Sequence, residues 1–109
     1  MDCDMDKEKI KKLTGLRVKE LRKSRGFTQE KLAELTEIGE RNLSKIECGK
    51  NFISAETLIK LACALRVHPY EIFKFEHLQD DEVLRDELIK KLYNKEVDVK
   101  LLYRIYQVL

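Results

Sequence analysis

The side chains able to do chemistry are few. The two histidines, His68 and His77, have no carboxylate at a catalytic spacing, and no glycine-rich phosphate loop or nucleophile signature accompanies them. His68 stands directly before Pro69 and reads as a residue opening a helix rather than a ligand. Cys3, Cys48 and Cys63 are odd in number and widely spaced, without a CxxC pair or a nearby histidine pair. Neither a zinc site nor a disulfide framework follows; ordinary free thiols in a reducing compartment do. No catalytic residue, metal or cofactor is expected, so the reading is not an enzyme.

Charge is the remaining chemical resource, and it is unevenly placed. Residues 1–6 carry three Asp. Residues 7–66 carry 15 Lys/Arg against 8 Asp/Glu, with 9 against 2 in residues 7–26 alone. Residues 67–109 carry 7 against 9. A basic front and a mildly acidic back imply an anionic partner for the front. The alternative is a merely solvated helix face, and charge by itself favours that alternative.

Those charges must be positioned by helices. The 109 residues suggest one domain with an appendage. The single proline, Pro69, and the lack of alternating β-branched residues indicate an all-α chain. A first helix runs from about Asp6 to Ser24, with Ile10, Leu13, Val18 and Leu21 inward and Gly26 as its stop. A second runs from about Gln29 to Thr36, capped by Thr28, with Leu32, Ala33 and either Leu35 or Thr36 inward. A third spans about Glu40 to Cys48 and ends at Gly49. A fourth follows Ser54, burying Leu58, Ile59, Leu61, Ala62 and Leu65, with Cys63 in or near that face. A short fifth begins at Pro69 and points Ile72 and Phe73 inward.

The third helix is nearly all polar. At about 100° per residue, Leu43 and Ile46 form a narrow inward stripe with Glu47 beside it. Arg41, Ser44, Lys45 and Cys48 face the other way. So polar a helix adds little to a core, and its outer surface is the better reason for it. With the second helix packed across it through the turn Glu37–Ile38–Gly39, the pair fits a helix-turn-helix. Such a pair seats its second helix in the DNA major groove, about 12 Å wide. It fits an ordinary helical hairpin in a bundle equally well on spacing and polarity.

The stretch "LRVKELRKSRGFTQEKLAELTEIGERNLSKIECGK" followed by "SAETLIKLACALRVHPYEIF" resembles the phage-repressor (Cro and cI type, XRE) helix-turn-helix family over about residues 13–75. The resemblance rests on Gly26-Phe27-Thr28-Gln29, Leu32-Ala33, Ser44, Ile46-Glu47 and Gly49-Lys50. Leu58, Ala62, Leu65 and Glu71-Ile72-Phe73 complete it. It implies a five-helix lambda-repressor-like DNA-binding domain over residues 1–78. Gln29 is similar to the family glutamine that contacts phosphate. Gly39, Glu40, Arg41, Asn42, Ser44 and Lys45 lie where the family reads bases or touches phosphate, and Lys50 and Asn51 match the loop that grips the backbone. Arg22 and Glu47 stand where the family often has an internal ion pair. Arg41 is the candidate for a bidentate guanine contact, and Glu40 could accept from cytosine N4. Glu37 departs from the family's usual glycine and would take a left-handed backbone angle.

The tail, residues 79–109, reads as an amphipathic two-helix hairpin. Leu84, Leu88 and Leu92 step by four in residues 80–94. Leu101, Leu102, Ile105, Tyr106 and Leu109 form a stripe in residues 98–109 behind an Asp98 cap. Dimerisation through these stripes would place two recognition helices about 34 Å apart on a palindromic double-stranded operator. The other reading folds the hairpin back on its own domain. The functional expectation is a homodimeric transcriptional regulator, a repressor by family habit. The alternative is an antitoxin that binds its own operator and holds a protein partner through the C-terminal helices. With no membrane-length apolar run and no signal peptide, the expected location is cytoplasmic, on the nucleoid when bound to DNA.

Overall fold

A computed structural model of the chain describes residues 5–94 and 98–108. Among these residues every regular element is helical, which is the all-α class expected. The first helix, α1 (Lys7–Ser24), starts where the Asp6 carboxylate accepts from the Lys9 N–H at 2.8 Å. It stops where Gly26 takes φ +73° and the Phe27 N–H returns to the Arg22 carbonyl at 3.1 Å. Thr28 opens α2 (Gln29–Thr36), its hydroxyl accepting from the Lys31 N–H at 3.0 Å. After α3 (Glu40–Glu47), Ser54 opens α4 (Ala55–Leu65) by accepting from the Thr57 N–H at 3.1 Å. Two 3-10 turns follow, Pro69–Phe73 and Glu76–Leu78, then α5 (Asp81–Tyr93) and α6 (Val99–Gln107). No helix among the described residues is long and apolar enough to cross a membrane.

The chain divides into two compact units, Met1–Leu78 and Gln79–Leu109. The core of the first is Val18, Leu32, Leu43, Leu61, Leu65 and Ile72, all fully buried, with Ala33, Ile46, Ile53 and Ala62 around them. Each large side chain removed from water there contributes about 1.5–3 kcal/mol. Of the two inward candidates at the end of α2, Thr36 is buried and Leu35 is 46% exposed. The Thr36 hydroxyl donates to the Leu32 carbonyl at 2.7 Å, so its burial leaves no polar group unpaired.

Three expectations about this core are corrected. The segment from Pro69 winds as a 3-10 turn, because His68 and Glu71 carbonyls accept from residues three further on, at 2.9 and 3.2 Å. That tighter winding buries Ile72 and leaves Phe73 37% exposed. Ile59, expected inward, is 58% exposed, and Cys63 is also exposed. They lie roughly 120° and 160° round the axis from buried Leu65. The apolar surface of α4 is wider than the helices beneath it can cover.

In the second unit, neither α5 nor α6 contains a buried residue. Asp81 and Glu82 open α5 and Lys90 and Lys91 close it, matching the helix dipole. Asp98 opens α6 by accepting from the Lys100 and Leu101 N–H groups at 3.1 and 3.2 Å. Leu84 and Leu102 are half-buried, while Leu88, Leu92, Leu101, Ile105 and Tyr106 are exposed. Leu109 lies outside the described residues.

Candidate nucleic-acid interface

The link between α2 and α3 is three residues long. Glu37 ends α2 at φ 60°, ψ 17°, a left-handed position that disfavours any residue with a Cβ. Ile38 packs against the core, and Gly39 becomes the N-cap of α3 in extended backbone. Gly39 offers no side-chain acceptor, so the first N–H groups of α3 have no side-chain cap. Below this turn, Leu43, Ile46 and Glu47 are buried. Glu40, Arg41 and Asn42 are exposed, and Ser44 and Lys45 half-exposed.

Glu47 is the pivot of the arrangement. Its carboxylate is buried and takes the Arg22 Nε at 2.8 Å and a second Arg22 nitrogen at 3.1 Å. The same guanidinium donates to the Phe27 carbonyl at 2.8 Å, at the break before α2. Gln29 Nε2 donates at 2.9 Å to Glu47 Oε1, the oxygen that also takes the second Arg22 nitrogen. One buried anion therefore joins α1, the loop before α2, α2 and α3. Breaking such a pair from one side strands a buried charge, which typically costs about 3–5 kcal/mol. The bond to Gln29 also fixes that amide at the mouth of the surface, with one N–H and its oxygen left over.

One surface depression brings most of the sequence candidates together. Glu40, Arg41, Ser44 and Lys45 line it from α3, Gln29 from α2, and Cys48 and Lys50 from the end of α3 and the loop beyond. Gly39, Asn42 and Asn51 are exposed but do not line it. Three cations against one carboxylate give the depression a positive field, the electrostatics a phosphate backbone requires. The Cys48 thiol donates back to the Ser44 carbonyl at 2.8 Å, closing the last turn of α3.

Two features escaped the reading of the residues. Gly15 sits in the middle of α1, where a Cβ would lie 2.2 Å from the Ile46 carbonyl oxygen and 2.7 Å from that of Glu47. The C-terminal turn of α3 thus rests directly on the α1 backbone; a helix-interior glycine was the available signal. His77 Nε2 lies 2.8 and 3.0 Å from the two Glu20 oxygens, 57 residues away in sequence, a pairing no motif spacing reveals. Arg17 also bonds Glu20 and donates from Nε to the Glu71 carbonyl at 2.8 Å. Burial pushes the Glu20 carboxyl up, but hydrogen bonds from His77 and Arg17 outweigh it and hold the group below its ordinary value. The cluster ties α1 to both 3-10 turns.

The chain is similar in sequence and fold to known proteins. The family model HTH_3, described as helix-turn-helix, matches residues 18–72. The SPbeta prophage-derived uncharacterized HTH-type transcriptional regulator YonR of Bacillus subtilis (strain 168) is 35% identical over 74 residues, which are 66% of this chain and 68% of that protein. The restriction-modification controller protein C.AhdI from Aeromonas hydrophila superposes with a TM-score of 0.55 at 36% identity, covering 56% of this chain and 92% of its own. An HTH_3 family transcriptional regulator from Vibrio cholerae gives a TM-score of 0.61 at 30% identity, over 65% of this chain and 40% of its own.

Proposed function

The chain belongs to the HTH_3 helix-turn-helix family, and on that premise we propose that it binds a two-fold symmetric DNA operator as a homodimer and represses transcription there. The observation that carries this reading is the division of α3. Leu43, Ile46 and Glu47 are committed inward, while Arg41, Ser44 and Lys45 line the same open depression as Gln29 and Lys50. In the proposed complex α3 lies in the major groove. Arg41 forms a bidentate contact with guanine, and Glu40 accepts from cytosine N4. Gln29, held by Glu47, gives its free N–H to a phosphate, and the N-terminal N–H groups of α2 assist. Lys45, Lys50 and Asn51 hold the backbone and release counterions, so affinity falls as salt rises.

One such module reads only a few base pairs, and the apolar residues exposed on α5 and α6 supply the surface for pairing two. Selection of bound sites from random duplex DNA tests the whole reading. A palindromic consensus is expected; recovery of unrelated sequences, or of a single asymmetric half-site, would remove the dimeric operator model. The apolar stripe of α6 also fits a chain of different sequence, as an antitoxin would require. Light scattering on the full chain and on a Leu101→Glu/Ile105→Glu variant separates these. A dimer lost in the variant supports self-association, and a monomer that copurifies with a neighbouring protein supports the antitoxin.

A further inference from the structure

A second groove, of about 910 Å³, lies between α2 and α4 and shares no lining residue with the depression on α3. Its apolar floor comes from Leu35, Ile59 and Cys63, all exposed, with half-buried Phe27 and Ala64 deeper in. Residues 31 and 35 on α2 and residues 59, 60, 63 and 64 on α4 form two facing rows, each one turn long. Isolated surface leucines are ordinary, but Leu35 at 46% and Ile59 at 58% exposure line one concavity.

The rim is basic. Lys31, Lys60, Arg66 and Arg25 border the floor, and Glu37 is the one acidic residue in the lining. Arg25 is held in place by bonds from its guanidinium to the Leu65 and Arg66 carbonyls, at 2.8 and 3.3 Å. Lys60 has a contact of 3.3 Å to Glu56 on its own helix, an exposed pair that water screens and a competing carboxylate can replace. A narrow apolar crease between helices with cations on its edges complements an amphipathic helix whose apolar residues recur at i, i+3 or i+4, and i+7 and whose flanks are acidic.

We infer that the α2/α4 groove docks an acidic amphipathic helix of a partner protein. Because its residues are separate from those on α3, the partner and DNA can be held at once. The inference does not depend on the choice of operator or on the role of α5 and α6.

The test uses the full chain and a labelled synthetic peptide of about 16 residues, four turns, with leucines on one face and glutamates on the others. Controls are the same residues scrambled and a version with lysine for glutamate. The glutamate peptide should bind in the tens of micromolar and shift amide resonances of residues around 31–37 and 59–66. Its affinity should fall about ten-fold or more in Leu35→Ser/Ile59→Ser and in Lys31→Glu/Lys60→Glu. These side chains are exposed, and thermal melts on each variant verify folding. Equal binding of the scrambled or lysine peptide, or shifts elsewhere on the protein, would overturn the inference. Competition by random duplex DNA, with loss of non-specific DNA affinity in Lys31→Glu/Lys60→Glu, would make the groove a nucleic-acid surface instead. Self-association abolished by Leu35→Ser/Ile59→Ser would assign it to a second copy.

Discussion

Adding one methyl group at Gly15 should be the most damaging small change in the first unit. An alanine Cβ there would stand 2.2 Å from the Ile46 oxygen and 2.7 Å from the Glu47 oxygen. Both are backbone atoms and cannot rotate away. An ordinary carbon–oxygen contact is about 3.3 Å at its closest, so α1 and α3 must separate by roughly 1 Å at their crossing. Overpacking of this kind typically costs about 1–3 kcal/mol and occasionally more. Here the shift also pulls on the Arg22–Glu47 pair at 2.8 Å, whose loss is expensive when buried, so about 3 kcal/mol or more is expected. For a unit of this size that lowers the melting temperature by roughly 12–24 °C. Gly39→Ala is the matched control: nothing lies within 4 Å of its Cβ, and its φ of −63° suits any residue. It should change stability by no more than about 0.5 kcal/mol. Urea unfolding followed by circular dichroism measures both. A Gly15→Ala loss under about 1 kcal/mol, with an unchanged denaturant slope, would refute the claim that this crossing is backbone to backbone.

Three further outcomes follow from the same geometry. Glu37→Gly relieves the left-handed position at φ 60° and should stabilise the domain by about 1 kcal/mol in thermal melts, less the flexibility glycine adds to the unfolded chain; destabilisation would mean Glu37 makes an unrecognised contact. Arg41→Ala should lower preference for the selected operator over random DNA by about 1–3 kcal/mol in gel shifts, whereas equal weakening on both would reassign it to the backbone. Glu20→Gln should destabilise at neutral pH. Because the folded-state carboxyl is held below its ordinary value, its contribution is complete above about pH 4.5 and is lost as pH falls through the lowered value. The stability curves of the two proteins should therefore converge in acid, and a gap that persists or widens there would rule out the ion-paired carboxylate as its cause. The side chain is 38% exposed, so the effect is small.

Much of the fold could be read because its signals are local. Asp6, Thr28, Ser54 and Asp98 all accept from backbone N–H groups at the helix starts they mark. Gly26 and Glu37 take the positive φ their places at helix ends demand. The polarity of α3 likewise identified Leu43 and Ile46 as inward without knowledge of what covers them. What could not be read depends on the neighbour across a contact. Ile59 and Leu61 are equally apolar but lie about 160° apart round α4, and how far the elements beneath reach round that axis leaves one exposed and the other buried. The Gln29–Glu47 bond needs the crossing of α2 over α3, and Glu20–His77 needs a chain that returns to α1 after four helical segments. Phe73 turned outward because its segment winds at three residues per turn, a difference that composition does not encode.

The split within α3 has a consequence for how such a protein can diversify. Positions 40, 41, 42, 44 and 45 form no side-chain bond to any other element among the described residues, whereas 43, 46 and 47 clamp the helix to α1 and α2. Exchanging the former alters the lettering and leaves the type block intact. A lineage can therefore retune what this face grips through single substitutions, each nearly silent for folding, while a change at Glu47 would be lethal to the frame before any new preference emerged.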